Sequence, residues 1–286
     1  MSEDFLEGMA ASSRERSHAA QALTSQADLL AMALDTPEPP QLKASAGGFD
    51  LIAEVKLRSP AVGLLKQAND GEVGARVGTY ANAGAAAVSI LTEPSRFDGS
   101  LADLEAGASA LAPLNVPAMR KDFLVDAYQV LEGRLAGAGG VLAIIRMLPR
   151  QELEQLIDAA LELQMFVLLE AFDTRDIELA HELVDARSDH HHLLLVGVNS
   201  RDLATLKVVP GRLDALAPQL PTAVKRVAES GVATAEDAAR MAACGYDLAL
   251  VGSALMSATD PARLARAMLV QGRAAVSARA RSAGHA

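Results

Sequence analysis

Ile52-Ala53-Glu54-Val55-Lys56-Leu57-Arg58-Ser59-Pro60 is an apolar run that alternates into two charges and stops at a proline. Side chains on a strand point to opposite faces in turn, so Glu54 and Lys56 share one face while Ala53 and Val55 take the other. Short β-rich apolar runs like this one recur at 51–55, 86–91, 116–119, 141–145, 166–169, 193–198, 224–228 and 248–251. Segments with apolar residues at helical spacing lie between them, such as 150–163 and 235–243, and the unit repeats roughly every 25 to 30 residues. Continuous apolar strands alternating with helices eight times over indicate an α/β protein, a parallel sheet closed into a (β/α)8 TIM barrel. An open doubly wound sheet is the competitor. Glu54 and Lys56, Lys121 and Asp122, Glu170, Asn199 and Arg201, Glu229 and Ser230, and Ser253 all fall at the carboxyl ends of the runs. A barrel gathers those ends around one mouth, whereas an open sheet spreads them along a line.

Composition agrees with a layered helix-and-sheet protein. Of 286 residues, half are hydrophobic but only 3% are aromatic and none is Trp, so Ala, Leu, Val and Ile must fill the core. The formal charge of −10 repels a nucleic-acid backbone, and no aromatic interleaving marks a single-strand surface, so no nucleic-acid partner is expected. Cys244 is the single cysteine, which excludes an intramolecular disulfide or a thiolate cluster and fits a reducing compartment. The Met1-Ser2-Glu3-Asp4 start lacks a charged leader with an apolar stretch behind it, and no run of about 18 apolar residues occurs. The expectation is a cytoplasmic protein that does not enter membranes. Residues 1–47 read as an N-terminal helical extension, helical to about residue 35 and stopped by Pro37, Pro39 and Pro40. Residues 48–272 read as the barrel catalytic domain, and 273–286 as a flexible tail because Arg273, Arg279 and Arg281 lie among Ala, Ser and Gly.

Candidate chemistry sits at the strand ends. An isolated Glu54–Lys56 pair reads equally well as a structural ion pair, but further inward charges at the same end shift the balance towards function. Lys121, in a partly dry mouth or near other cations, is expected to have a lowered pKa and to act as a general acid. Glu170 is a lone carboxylate after an apolar run, either a general base or a partner holding a lysine charged. With Glu54, Lys56 and Glu229 these residues form a mixed-charge cluster able to move protons at neutral pH. Barrels often hold a phosphate on the loops after the last two strands, and here those loops read Glu229-Ser230-Gly231-Val232 and Val251-Gly252-Ser253-Ala254. Gly231 and Gly252 let backbone amides approach an anion, Ser253 adds a donor, and Ser59 lies nearby in a closed barrel. His190, His191 and His192 are consecutive and diverge, so they read as a solvated turn and no metal is assigned. Gly-x-Gly-x-x-Gly is absent, which weakens a dinucleotide site.

Six motifs occur in register: Ile52-Ala53-Glu54-Val55-Lys56 with Ser59-Pro60, Leu91-Thr92-Glu93 with Phe97-Asp98-Gly99-Ser100, Arg120-Lys121-Asp122-Phe123, Gly197-Val198-Asn199-Ser200-Arg201-Asp202-Leu203, Ala228-Glu229-Ser230-Gly231, and Val251-Gly252-Ser253-Ala254-Leu255-Met256. In this order they resemble the indole-3-glycerol phosphate synthase family, over about residues 50 to 270. The resemblance implies a cofactor-free enzyme that closes the pyrrole ring of 1-(2-carboxyphenylamino)-1-deoxyribulose 5-phosphate with loss of carbon dioxide and water. It implies Lys121 as the general acid, Lys56 at the substrate's anionic groups, Glu170 assisting dehydration, and Glu54 positioning the lysines. It further implies Asn199, Glu229 and Ser230 holding the hydroxyls, Arg201 orienting the anthranilate side, and Ser59, Gly231, Gly252 and Ser253 cradling the phosphate. Phe123 and Leu203 are candidate apolar walls. The chain departs from the family pattern at Ala61 and Val62 before Gly63, at Gly137-Ala138-Gly139, and at Phe172 where a His is common. Such changes leave room for a paralogue acting on a substituted anthranilate. The other readings are a barrel like phosphoribosylanthranilate isomerase and a non-catalytic sugar-phosphate-binding barrel. The expected partner is a small sugar phosphate, with the chain a monomer or weak homo-oligomer.

Overall fold

The computed structural model describes residues 2–59, 63–64, 72–203 and 205–283. Eight parallel strands close on themselves: β1 (Asp50–Val55), β2 (Ala87–Leu91), β3 (Ala118–Lys121), β4 (Gly140–Ile144), β5 (Phe166–Ala171), β6 (Leu194–Asn199), β7 (Lys225–Glu229) and β8 (Leu248–Val251). Closure is made by β1, which pairs with β2 through Ile52 and Ala87 and with β8 through Asp50 and Leu248. The chain is a (β/α)8 barrel.

Period-two alternation sorts each strand into two cores. Ile52, Met119, Leu142, Phe166, Leu168, Leu195, Val227 and Leu248 pack inside the barrel. Leu51, Ala53, Val88, Val141, Val167, Val196 and Ala249 point outward into the layer between sheet and helices. Phe166 fills the space beside its register partner Gly140, where an added Cβ would lie 2.4 Å from the ring. A small residue opposite a large one is what lets the interior layers interdigitate.

The surrounding helices begin at capping residues that follow the strands. Ser100, Asp126 and Asp173 each accept a backbone amide of the helix they open: α4 (Leu101–Leu111), α5 (Ala127–Leu135) and α7 (Thr174–Asp185). Thr234 and Asp237 make a reciprocal capping box at α9 (Ala235–Cys244). The remaining barrel helices are α3 (Glu72–Asn82), α6 (Arg150–Glu162), α8 (Arg212–Leu216), α10 (Ser253–Ser257) and α11 (Pro261–Ala283).

Both ends of the chain differ from the sequence expectation. The extension is two helices, α1 (Ser2–Gln21) and α2 (Gln26–Asp35), because Ser25 caps a new helix by accepting the Asp28 amide. Leu6 and Met9 of α1 join the inner cluster with Phe123 and Phe172, so α1 lies across the carboxyl-end mouth. Residues 273–283, read as a flexible tail, instead continue α11. Arg273 donates to the Asp50 carboxylate at 2.9 Å and to the Phe49 carbonyl at 3.1 Å, and Arg279 to the Ala242 carbonyl at 3.2 Å. Those acceptors lie far away in sequence, which is why a run of Ala and Ser hid the anchoring. The His190–His192 triplet lies in a short 3-10 helix before β6.

Gly140→Ala is expected to overpack the base of the barrel against Phe166 and to lower the unfolding free energy by about 1–3 kcal/mol in urea denaturation.

Candidate active site

The carboxyl ends of the strands open into a cavity of about 300 Å³. Glu54, Lys56, Lys121, Glu170, Asn199 and Glu229 line its floor, all at the ends of β1, β3, β5, β6 and β7. Strand geometry puts them there: Glu54, Lys121, Glu170 and Glu229 follow the inward apolar Ile52, Met119, Leu168 and Val227 by two positions, and Lys56 follows Glu54 in the same way. Arg201, Leu203, Ser230, Gly231, Gly252 and Ser253 form the rim, and Phe123 closes one side. The side chain of Ser59, and residues 61 and 62, lie outside the described residues.

The charged floor is built around Glu54. Its Oε1 accepts a hydrogen bond from Lys56 Nζ, and its Oε2 lies 3.4 Å from Lys121 Nζ. Lys121 Nζ is also 4.0 Å from Glu170 Oε1, which accepts Asn199 Nδ2 at 2.9 Å. Asn199 Oδ1 in turn accepts the Arg201 amide at 2.9 Å. Burial works against charge on Glu54, but the two ammonium groups outweigh it and hold the carboxyl at about 2. Burial also works against the Lys121 ammonium, yet the charges opposite it, Glu54 first and then Glu170, prevail and raise its pKa. The lowered lysine pKa expected from the sequence is therefore corrected: three acids from distant strands converge on Lys121 and keep it a cation. Glu229 goes the other way, pushed well above the usual carboxylate range by burial and by the charge of Glu170.

One glycine makes this floor sterically possible, and another shapes the rim. A Cβ on Gly252 would lie 2.2 Å from Glu54 Oε1 and 2.9 Å from Lys56 Nζ, so the Gly252 position serves the ion pair as well as the rim. Ser230 and Gly231 follow β7 with φ of 62° and 75°, a left-handed turn held by Ser200 Oγ donating to the Ser230 carbonyl at 3.0 Å. Arg201 lines the cavity, but its guanidinium donates to the Leu206 carbonyl at 2.6 Å and braces its own loop.

Several lining residues escaped the sequence reading. Leu142, Ile144 and Leu250 form an apolar wall and occupy inward period-two positions on β4 and β8, a signal that was available. Phe97 stands in a quoted motif, its ring 6.2 Å from that of Phe123. Phe5 of α1 meets Phe123 edge-on at 5.9 Å, which nothing local in the sequence announces. Behind the floor, Arg16 Nη2 donates to Asp122 Oδ1 at 2.7 Å while Thr92 Oγ1 donates to Oδ2 at 2.7 Å. Asp122 is buried between Lys121 and Phe123, so α1 steadies both residues through one carboxylate. Among the described residues no group of three or more His, Cys, Asp or Glu is placed to hold a metal, and no helix is long and apolar enough to cross a membrane.

A parallel barrel with two lysines, three acids and a glycine-serine rim at one mouth defines an acid–base barrel enzyme for an anionic substrate. The family model for indole-3-glycerol phosphate synthase matches residues 6–268. An indole-3-glycerol phosphate synthase of Nocardioides sp. is 41% identical over 268 residues, covering 93% of this chain and 96% of the relative. One from Leifsonia xyli subsp. xyli is 42% identical, covering 80% and 84%. The chain belongs to the indole-3-glycerol phosphate synthase family. It is a lyase of tryptophan biosynthesis catalysing decarboxylative ring closure on a phosphorylated small molecule, and the isomerase-like, paralogue and non-catalytic readings are not favoured. Among solved structures, thiamine phosphate pyrophosphorylase from Pyrococcus furiosus superposes with a TM-score of 0.58 at 14% identity, covering 80% of this chain and 98% of that one. That likeness is one of fold.

The depressed Glu54 pKa means that its stabilisation is present above the unfolded-state value of 4.5 and is lost as pH falls towards 2. Wild type should exceed Glu54→Gln by roughly 3 kcal/mol in urea unfolding at about pH 7, the gap narrowing steadily below about pH 4.5.

Proposed function

We propose that the charged floor carries the three chemical events of ring closure through separate groups. The substrate's aromatic carbon that bears the carboxylate attacks the ketone carbon, and the ketone oxygen must gain a proton as its double bond opens. Lys121 supplies it as general acid. The carbon–carboxylate bond then breaks, its electron pair restores the aromatic ring, and carbon dioxide leaves. Lys56 meets the carboxylate before that step and Glu54 positions both ammonium groups. In the dehydration that completes the pyrrole, Glu170 accepts the proton lost from carbon.

The rim and walls bind. Gly231, Gly252 and Ser253, with Ser59, cradle the phosphate, while Asn199, Glu229 and Ser230 hold the hydroxyls. Phe123, Leu203, Leu142, Ile144 and Phe97 offer an apolar face to the anthranilate ring, and Arg201 orients the loop at that side. A carboxylate held too firmly would not depart, so binding strength belongs at the remote phosphate. Residues 1–47 serve as a cover over the barrel of 48–272, and the enzyme acts without a cofactor, in the cytoplasm, as a monomer or weak homo-oligomer.

The observation that carries this reading is Lys121 Nζ at 3.4 Å from Glu54 and 4.0 Å from Glu170, inside a cavity walled by Leu142 and Ile144. Incubation with the carboxyphenylamino sugar phosphate should release carbon dioxide and form the fluorescent indole product one for one; binding without gas release would overturn the reading. Lys121→Ala is expected to lower turnover about a hundredfold or more with the circular dichroism spectrum unchanged. Because the Lys121 pKa is raised, its charged form persists past the ordinary lysine value of 10.5, so kcat/KM should show no alkaline loss from this group below that pH.

A further inference from the structure

Glu229 ends β7 only 1% exposed, and neither carboxyl oxygen has a hydrogen-bond donor among the described residues. A buried carboxylate without a donor is costly; a buried carboxylic acid is far less so, provided that its proton finds an acceptor. The acceptor at hand is Glu170. The two acids stand on β5 and β7, with β6 between them, and the β6 residue in register with Glu170 is Gly197. A Cβ on Gly197 would lie 2.1 Å from Glu229 Oε1, so the Glu229 carboxyl occupies the space that the missing side chain leaves. The two carboxyls line the same cavity floor on either side of that gap.

We propose that Glu170 and Glu229 share one proton in the resting enzyme, and that Glu229 delivers it to the leaving hydroxyl during dehydration. The assignment of the proton follows from the neighbours. Glu170 Oε1 is held by Asn199 Nδ2 at 2.9 Å and faces Lys121 Nζ at 4.0 Å, whereas neither Glu229 oxygen has a donor among the described residues. Glu229 lines the same floor as Glu170, Lys121 and Glu54, two acids against one base, and burial with the charge of Glu170 raises its pKa.

This inference rests on the function proposed above and adds an acid to it. After carbon dioxide leaves, the intermediate carries a hydroxyl on the carbon that was the ketone and two hydrogens on the carbon beside nitrogen. The Glu229 proton passes to the hydroxyl oxygen, the carbon–oxygen bond breaks, and water departs with that electron pair. The neighbouring carbon gives a proton to Glu170, and the electrons of its carbon–hydrogen bond form the new double bond. The pair begins and ends with one proton, which crosses from Glu170 to Glu229 to reset the site. Glu229 is thereby a catalytic acid, and Gly197 is a positioning residue that acts through it.

Two measurements test the pair. Infrared spectra of the wild type at neutral pH should contain the carbonyl band of a protonated carboxylic acid, absent from Glu229→Gln. In single turnovers Glu229→Gln should release carbon dioxide within about threefold of the wild-type rate, while indole formation falls at least about tenfold and lags behind the gas. Gly197→Ala, which displaces the Glu229 carboxyl, should reproduce the lag without removing a titratable group. No protonated-acid band in the wild type would overturn the proposal, whether or not either variant folds. So would equal slowing of gas and indole, a rise in KM alone, or wild-type rates for both products in Glu229→Gln. Failure of the wild type itself to release carbon dioxide would instead strike the functional reading.

Discussion

Two half-buried ammonium groups share one buried carboxylate at the floor of the barrel, and the arrangement around them follows from that constraint. Moving a charge out of water costs several kcal/mol unless an opposite charge replaces the solvent at close range. Glu54, 3% exposed, meets Lys56 through one oxygen and Lys121 through the other. The pairing demands room, and Gly252 provides it on the neighbouring strand. The layer beneath holds Ile52, Leu168, Val227 and Leu248, so apolar side chains back the charges on the side away from the mouth. The orientation of those charges is settled during folding, and charges fixed in this way in a low-dielectric site can stabilise developing charge without reorganising.

Rigidity comes from both ends of the chain. Arg16 on α1 reaches Asp122, and Ser17 on the same helix donates to Asp126 at 2.7 Å, the residue that caps α5. Phe5 and Leu6 bring apolar contacts to the mouth from the same helix. At the opposite end of the barrel, Arg273 of α11 ties Phe49 and Asp50, the lead-in to β1. The strand that carries Glu54 is therefore clamped at its start, and the strand that carries Lys121 is braced at its finish. At Phe172, where the family commonly has His, Arg146 stacks 5.0 Å over the ring and pairs with Asp176, which accepts the Phe172 amide. The end of β5 beyond Glu170 is thus held by a local clamp.

The strands were legible because barrel strands must be apolar on both faces, so they appear as short apolar runs, and those of β1, β3, β5 and β7 end at or beside a charge. Gly-Ser turns after β7 and β8 were legible for a similar local reason. Lys121's electrostatics were not, since the sign of its shift depends on Glu54, Glu170 and Glu229, which arrive from strands up to 108 positions away in the chain (229 − 121 = 108). Phe5, Arg16 and Arg273 were missed for the same reason: each acts at a point with no sequence proximity to it.

Sequence alone determined the alternation of strand and helix, the residue types at each strand end, and the family to which those motifs point, because these depend on side-chain polarity and short-range periodicity. Tertiary structure alone decided that the extension is two helices with the first across the mouth, that the last helix is anchored, that Lys121 remains a cation, and that Gly197 opens a gap between two acids. Barrel closure is the physical cause. It converts eight strand ends into one poorly solvated volume, where the charge on any group is set by its neighbours in space.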